Sequence, residues 1–362
     1  MTLRGQLRRG AREFAAFRRG VKRRLGVLAP LRVTLYGGYG RCSEVCVRGR
    51  VLEEHDGAAP TAGDRLLRNF KRAFSQFESD EVPGVEVTLT VHGAQARVVT
   101  DEDGYFFLRL PLRPGAPSGW LDVEATVTGT PYPISSSVTA RSSVLIPDDA
   151  ARFGVISDID DTILRSHVGN KAKLLYLTLL GNALTRLSFD RTTDLYQGLL
   201  AGGGNAPFFY VSKSMWNIFP LLEHFIDHQK LPRGPLLLRD FGLLNDRRAV
   251  PHKAHAIAEI LGTYPEKPFV LIGDSGEQDL PIYLRAARER PGRIAALMIR
   301  NVSGSKRAEE LRELARREAP PGCPAIVFDT SEQAIEHCAE LGLWSKPMLA
   351  PGAGNAALPS LS

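Results

Sequence analysis

The chain reads as an α/β protein: a parallel sheet covered by helices on both faces, preceded by a small β-sandwich domain. Three observations predict this. Residues 31–148 hold short stretches of alternating polarity separated by turn signals, with little helix. From Phe153 onward, near-continuous apolar strands alternate with longer helical stretches. Finally, Asp158, Ser212 and Asp274 each directly follow an apolar strand, which is where a doubly covered parallel sheet places its site.

The bulk numbers agree. A chain of 362 residues is long enough for two domains, and 43% apolar with 24% charged residues is ordinary for a globular protein. No apolar run is long enough to span a bilayer, and the first residues lack the pattern of a secretory signal, so a cytoplasmic location is expected. The four cysteines, Cys42, Cys46, Cys323 and Cys338, are too scattered for a disulfide framework. Cys42 and Cys46 lack a second Cys/His pair at zinc spacing and read as ordinary thiols.

Charge is uneven. Residues 1–24 carry nine Lys or Arg against the single acid Glu13. Within the segment 1–30, Phe14, Phe17, Val21 and Leu25 recur at helical spacing, flanked by Arg8, Arg9, Arg12, Arg18 and Arg19. Two readings stand: a basic amphipathic helix lying on an anionic membrane, or a basic arm packed on its own protein.

Elements follow in order. Arg32–Tyr36, Val45–Val51, Val85–Thr90, Phe106–Leu112 and Leu121–Val127 are the predicted strands of the 31–148 domain. The turn signals are Gly37-Gly38, Pro83-Gly84, Asp103-Gly104 and Pro114-Gly115. Leu66, Leu67, Phe70, Phe74 and Phe77 sit at helical spacing and predict an inserted helix over 64–78. The acidic run Asp101-Glu102-Asp103-Gly104 lacks the alternate acids and distant glutamate of a calcium loop and reads as a hairpin turn. It also resembles the turn of transthyretin-like and carboxypeptidase-regulatory-like sandwiches.

Pro147-Asp148-Asp149 marks the boundary to a second domain over 150–345. Its predicted strands are Phe153–Ile156, Pro207–Val211, Pro235–Leu238, Pro268–Ile272, Ile294–Ile299 and Ala325–Phe328. Helical stretches lie at 215–229, 252–262, 277–290 and 305–317. Gly202-Gly203-Gly204 reads as a flexible loop that lacks the lysine and spacing of a nucleotide phosphate loop. The tail 346–362, rich in Pro, Gly, Ala and Ser, reads as disordered.

The chemistry suggested is phosphoryl transfer. Asp158 and Asp160, two positions apart at a strand end, can turn toward one space. A carboxylate beside Mg²⁺ can attack phosphorus, and a second can protonate the leaving oxygen and then deprotonate water. Thr162 would hold the turn that follows, and Asp161 reads as a cap or solvated partner. The Ser212 hydroxyl and neighbouring backbone, with Lys213 beside it, suit a phosphoryl oxygen. Lys253, opening a predicted helix, is the candidate cation. In Gly273-Asp274-Ser275-Gly276-Glu277-Gln278-Asp279, Asp274 fits a Mg²⁺ ligand, while Asp279 fits either a further ligand or an orienter of Lys253. Each motif alone is weak. Their order along one α/β domain is what carries the reading.

That order, DxDxT, then apolar-Ser, then Lys, then GDxxxxD, resembles the haloacid dehalogenase superfamily. The wording of Ser157–Ile163, Tyr210–Asn217, His252-Lys253 and Leu271–Asp279, extended by Leu280–Tyr283 and Ile299–Val302, resembles its actin-patch-type phosphatidate phosphatase branch. The resemblance spans roughly 150–330 and more loosely the β domain. It implies a haloacid-dehalogenase-like Rossmannoid sheet and Mg²⁺-dependent conversion of phosphatidic acid to diacylglycerol and phosphate, chemistry shared with lipins. It implies Asp158 as nucleophile, Asp160 as acid/base, Ser212 and Lys253 on phosphate, and Asp158, Asp274 and the Asp160 carbonyl on Mg²⁺. Asp279 matches the second motif carboxylate. Met215 stands where the branch has proline, which touches the shape of the phosphate loop. The actin-binding tail of yeast-type members has no counterpart here.

Between Thr162 and Pro207 lies an insertion where the superfamily often places a cap. Its largely apolar run Lys171–Leu180, with the basic residues Arg165, Lys171, Lys173 and Arg186, fits either contact with a lipid surface or a helix packed on the domain core. Three functions are therefore compared. One is a phosphatidate phosphatase peripheral to an anionic membrane. Another is a phosphatase on a soluble phosphomonoester or a nucleic-acid end, although no nucleic-acid partner is expected. The last is a non-catalytic membrane- or protein-binding module, which would have no need of the motif carboxylates.

Overall fold

The protein is seen here as a computed structural model that describes residues 30–53, 82–130, 137–159, 191–239, 252–276 and 278–347. The N-terminal basic segment, the helix expected over 64–78, the apolar run of the insertion and most of the expected tail lie outside the described residues.

Two sheets form the fold, one mixed and one parallel. The first has seven strands: β1 (Leu31–Arg41), β2 (Glu44–Glu53), β3 (Glu86–Val91), β4 (Ala94–Val99), β5 (Tyr105–Pro111), β6 (Gly119–Gly129) and β7 (Thr139–Ile146). Their order is β4-β3-β6-β7-β1-β2-β5, antiparallel throughout except for the β1–β7 pair. Hydrogen bonding runs through all seven as one sheet, and the two edge strands approach each other, so the sheet curls on itself. Period-two alternation explains what it encloses. Val45 and Val47 of β2, Val87 and Leu89 of β3, and Val123 and Ala125 of β6 point into one core with Val33, Phe106 and Val144. The five expected strands are present; β4 and β7 are additions.

The glycine pair Gly37-Gly38 is a correction: it lies inside β1, not in a turn between strands. Gly37 has φ +74°, and the register with β2 slips between Leu35 and Gly38, making a β-bulge. A Cβ at Gly38 would sit 1.9 Å from the Cys46 carbonyl oxygen, so the close strand approach needs glycine. The acidic turn behaves as expected. Gly104 has φ +76°, and Asp101 Oδ1 accepts from Asp103 N at 3.0 Å and Tyr105 N at 2.9 Å.

The second sheet has β8 (Gly154–Asp158), β9 (Phe208–Met215), β10 (Leu236–Arg239), β11 (Phe269–Asp274), β12 (Ile294–Arg300) and β13 (Ala325–Phe328), ordered β10-β9-β8-β11-β12-β13 and all parallel. Helices α1 (Thr192–Gly202), α2 (Phe219–His228) and α6 (Ser331–Glu340) cover one face; α3 (His252–Thr263), α4 (Asp279–Glu289) and α5 (Ser305–Glu318) cover the other. The strands read as unbroken apolar runs because both faces are buried. Val155, Phe208 and Ile272 pack toward α1, α2 and α6, while Ile156, Phe209 and Leu271 pack toward α3, α4 and α5.

Helix α1 corrects two expectations at once. It occupies the end of the stretch expected to be an insertion, and Leu195, Tyr196 and Leu199 are core residues rather than cap. The expected glycine loop is its C-terminus: Gly202 closes the helix, Gly203 N donates to Leu199 O at 3.0 Å, and Gly204 turns the chain at φ +64°. Trp344 lies against α1, its Nε1 donating to Asp194 O at 3.1 Å. A Cβ at Gly198 would fall 1.6 Å from that nitrogen.

The sheets meet through side chains. Tyr36 stacks on Trp216 with centroids 4.5 Å apart, and Tyr39 meets Phe209 edge-on at 5.4 Å. The Arg233 guanidinium lies 3.9 Å from the Trp120 ring centroid, and Lys267 donates to the carbonyls of Asp148 and Ala151 at the connection between the sheets. Among the described residues no helix is long and apolar enough to cross a membrane.

Candidate active site

The chain passes from β8 outward to β9 and β10, then returns to β11 on the other side of β8. That reversal opens a crevice at the carboxyl ends of β8 and β11, the position where parallel α/β sheets hold ligands. Asp158 ends β8 and Asp274 ends β11. Ser212 lies on β9, one residue beyond Val211, the partner of Asp158 in register. Lys253 is the second residue of α3 and Asp279 the first of α4, so both helices present their opening turns at this edge.

The structure brings four of the expected residues into one buried group. Asp158, Asp279, Lys253 and Asp274 are at most 1% exposed. Lys253 Nζ lies 2.9 Å from Asp158 Oδ1 and also pairs with Asp279 Oδ1. The other Asp279 oxygen accepts from Asp274 N at 3.1 Å, so Asp279 ties the lysine to the Asp274 turn. A Cβ at Gly273 would come 2.3 Å from Asp279 Oδ2, so the close approach of Asp279 needs glycine at this position. Asp274 Oδ1 accepts from Gly276 N at 2.6 Å. Burial raises the Asp279 carboxyl to about 6, against the opposing pull of Lys253.

Carboxylate oxygens of Asp158, Asp274 and Asp279 lie within 4.8 Å of one another. Three buried carboxylates against one ammonium leave an excess of negative charge in low dielectric, and all the donors are hard oxygens. This donor set fits a small divalent cation such as Mg²⁺.

Ser212 is fully buried, and its Oγ accepts from Ser214 N at 2.9 Å, which shapes a tight backbone turn beside Asp158. Lys213 is exposed. Asp160 and Thr162 lie outside the described residues.

Several supports were not anticipated from sequence. Ser157 Oγ donates to the Asp158 carbonyl at 2.8 Å and meets Tyr196 Oη at 2.8 Å; burial pushes that phenol up to about 12, so it stays protonated. Tyr283 Oη donates to Ile272 O at 3.0 Å beneath the Asp274 turn. Ser275 anchors that turn from the other side. Its N donates to Arg300 O at 2.9 Å, and its Oγ accepts from Val302 N at 2.8 Å and Ser303 N at 3.1 Å. Arg300, buried, donates to Thr192 Oγ1 at 3.0 Å and so fixes the start of α1. Ser275 sits in a motif read only for its carboxylates, Asp274 and Asp279; Tyr196 carries no local signal.

Residues 153–301 match the family model described as the catalytic domain of phosphatidate phosphatase APP1. The chain is 34% identical over 157 residues to phosphatidate phosphatase APP1 of Saccharomyces cerevisiae, covering 42% of this chain and 26% of the yeast protein. It is 28% identical over 215 residues to an uncharacterized protein of Schizosaccharomyces pombe, covering 58% of this chain and 35% of that protein. The chain thus spans about a quarter to a third of the length of these relatives. A crystal structure of a carbohydrate acetylesterase from Xanthomonas citri overlaps it at TM-score 0.30 and 13% identity, over 80% of this chain and 65% of that one. The matched segment contains Asp158, Ser212, Lys253, Asp274 and Asp279. Over residues 153–301, this chain is thus similar to the catalytic domain of APP1-type phosphatidate phosphatases.

Proposed function

We propose that the protein is a Mg²⁺-dependent phosphatidate phosphatase that releases phosphate from phosphatidic acid through an aspartyl-phosphate on Asp158. The observation that carries this reading is the buried group at the crevice: Asp158 across from Asp274, with Lys253 set between Asp158 and Asp279. The parallel sheet serves as a haloacid-dehalogenase-like catalytic domain over 150–345, and the curled sheet as a sandwich-type domain over 31–148. The 1–30 segment and the 346–362 tail flank them.

Asp158 attacks phosphorus as its ester P–O bond breaks, and Asp160 gives the leaving alkoxide its proton. Water then attacks the phosphorus, Asp160 takes its proton, and the bond to Asp158 breaks to free phosphate. Asp158, Asp274, Asp279 and the Asp160 carbonyl would hold Mg²⁺, which screens the phosphoryl oxygens when bound. Lys253 orients Asp158 and adds positive charge where the phosphoryl group arrives. Ser212 and the turn after it, with Thr162, receive the remaining oxygens. Lys213, being exposed, would act at the mouth. The protein would be cytoplasmic and work peripherally at membranes.

Phosphate release from phosphatidate in mixed vesicles should require Mg²⁺, and Asp158→Asn should lower it by at least about a thousandfold with the fold intact. Release from a soluble phosphomonoester far faster than from phosphatidate would overturn the lipid assignment. Full activity in Asp158→Asn would overturn the mechanism.

A further inference from the structure

Strand β8 carries a polar side chain where its apolar pattern calls for another valine. Val155 and Ser157 face α1, whereas Ile156 and Asp158 face the opposite side, where Asp158 meets Lys253 of α3. Ser157 is fully buried, and so is Tyr196, one turn beyond Thr192 in α1. Hydroxyls buried there cost free energy that alanine and phenylalanine would not, unless both are bonded. They are bonded in series. The single Ser157 hydroxyl proton goes to the Asp158 carbonyl at 2.8 Å, so in the 2.8 Å contact with Tyr196 the phenol is the donor.

The end of β8 is therefore held from both faces of the sheet. Lys253 Nζ holds Asp158 Oδ1 at 2.9 Å from one side, and the Tyr196–Ser157 pair holds the Asp158 backbone from the other. Support is needed at this point, because the pairing of β8 with β11 ends at Ser157, one residue before the carboxylate. A planar peptide fixed at its carbonyl is fixed as a whole. Helix α1 is a firm base for the contact. Arg300 donates to Thr192 Oγ1 at 3.0 Å one turn before Tyr196, the Tyr196 ring stacks on Phe208 with centroids 5.7 Å apart, and Trp344 packs over Gly198.

We propose that Tyr196 is a positioning residue for the reaction at Asp158, acting through Ser157 to set the peptide plane beside the nucleophilic carboxylate. The proposal rests on the reading of Asp158 as nucleophile, and Tyr196 itself touches neither substrate nor reacting atoms. In-line attack on phosphorus depends on the angle of the attacking oxygen as well as its distance. Lys253 fixes one carboxylate oxygen, and the Tyr196–Ser157 pair fixes the backbone from which that carboxylate projects. Phenylalanine at 196 would fill the same space and leave the Ser157 hydroxyl without its donor.

The test uses the full chain with Mg²⁺, on phosphatidate in mixed vesicles and on p-nitrophenyl phosphate. Tyr196→Phe should lower kcat about tenfold on whichever substrate the parent turns over, with KM little changed. Ser157→Ala should do the same, and the double variant should be no worse than either single one. Urea unfolding without substrate should show the same non-additivity, because either change breaks one shared chain of bonds. Gln197→Ala removes a bond from the next residue of α1 to Lys230 O and should leave kcat at the parental value, which separates positioning from a general loosening of the helix. Parental kcat in Tyr196→Phe, with Asp158→Asn inactive, would overturn the proposal and leave the reading of the site standing. Independent effects of Tyr196→Phe and Ser157→Ala would also overturn it, as would an equal fall in Gln197→Ala. Activity that survives Asp158→Asn, or a parent protein without Mg²⁺-dependent phosphatase activity, would overturn the reading of the site and the proposal with it.

Discussion

The two sheets solve different problems with similar apolar content. In the seven-stranded sheet one side of each strand faces the enclosed core, and the polar residues on the other side are spread along the strands. In the parallel sheet both sides are buried, so polar groups are confined to strand ends, where they gather. Asp158 and Asp274 end neighbouring strands, and Lys253 and Asp279 open helices at the same edge. A doubly covered sheet therefore concentrates chemistry at its rim by leaving polar side chains no other place.

This contrast can be broken by removing its centre. Lys253→Met leaves three carboxylates crowded without their ammonium. It should cost about 3–5 kcal/mol of stability in metal-free protein, measured by urea unfolding. Added Mg²⁺ should raise its melting temperature more than that of the parent, because a cation is now the main relief for the buried charge. A stability loss that Mg²⁺ leaves unchanged would argue against the carboxylates as its ligands. By contrast, Leu89→Ala, in the core of the curled sheet, should cost about 2–4 kcal/mol through its cavity while leaving turnover on a soluble phosphomonoester unchanged. Loss of turnover at temperatures where that variant stays folded would show that the curled sheet shapes the crevice.

The smallest expected effect is a slope. Asp279, raised to about 6, binds its proton more tightly in the folded protein than in the unfolded chain, where a carboxyl titrates near about 3.9. Stability of the metal-free protein should therefore fall as pH rises from about 4 to about 6 and level off above. Asp279→Asn should remove this part of the slope, at most about one proton. An identical slope in parent and variant would place the titration elsewhere.

Legibility followed the same divide. All six parallel strands were readable because an apolar run buried on both faces needs no partner to be recognised, and Asp158, Ser212 and Asp274 were readable as the polar residues that end such runs. Strand β4, Ala-Gln-Ala-Arg-Val-Val, and strand β7, Thr-Ala-Arg-Ser-Ser-Val-Leu-Ile, were not. β4 does alternate in exposure, but only Ala94 of its inward residues is fully buried and the outward Val99 is apolar, while in β7 burial is confined to the last residues, so neither stands out in the sequence. Gly37-Gly38 carried a true signal with two meanings: positive φ serves a turn or a bulge, and only the opposing Cys46 carbonyl decides between them. Tyr196 under Asp158 and the Val302 and Ser303 amides on Ser275 could not be read locally, since each joins residues far apart in the chain.

Trp344 seated on Gly198 has a consequence for the order in which the protein becomes itself. During synthesis Asp158 leaves the ribosome long before Lys253, Asp274 and Asp279, and the indole that locks α1 leaves later than any of them. Helix α1 in turn receives Arg300 through Thr192. The nascent chain therefore carries the central strand β8 without its β11 neighbour, and a carboxylate without its ammonium, until the segment from Lys253 to Asp279 emerges. A chain stopped before Trp344 would hold Asp158, Lys253, Asp274 and Asp279 and yet lack the indole that packs on α1.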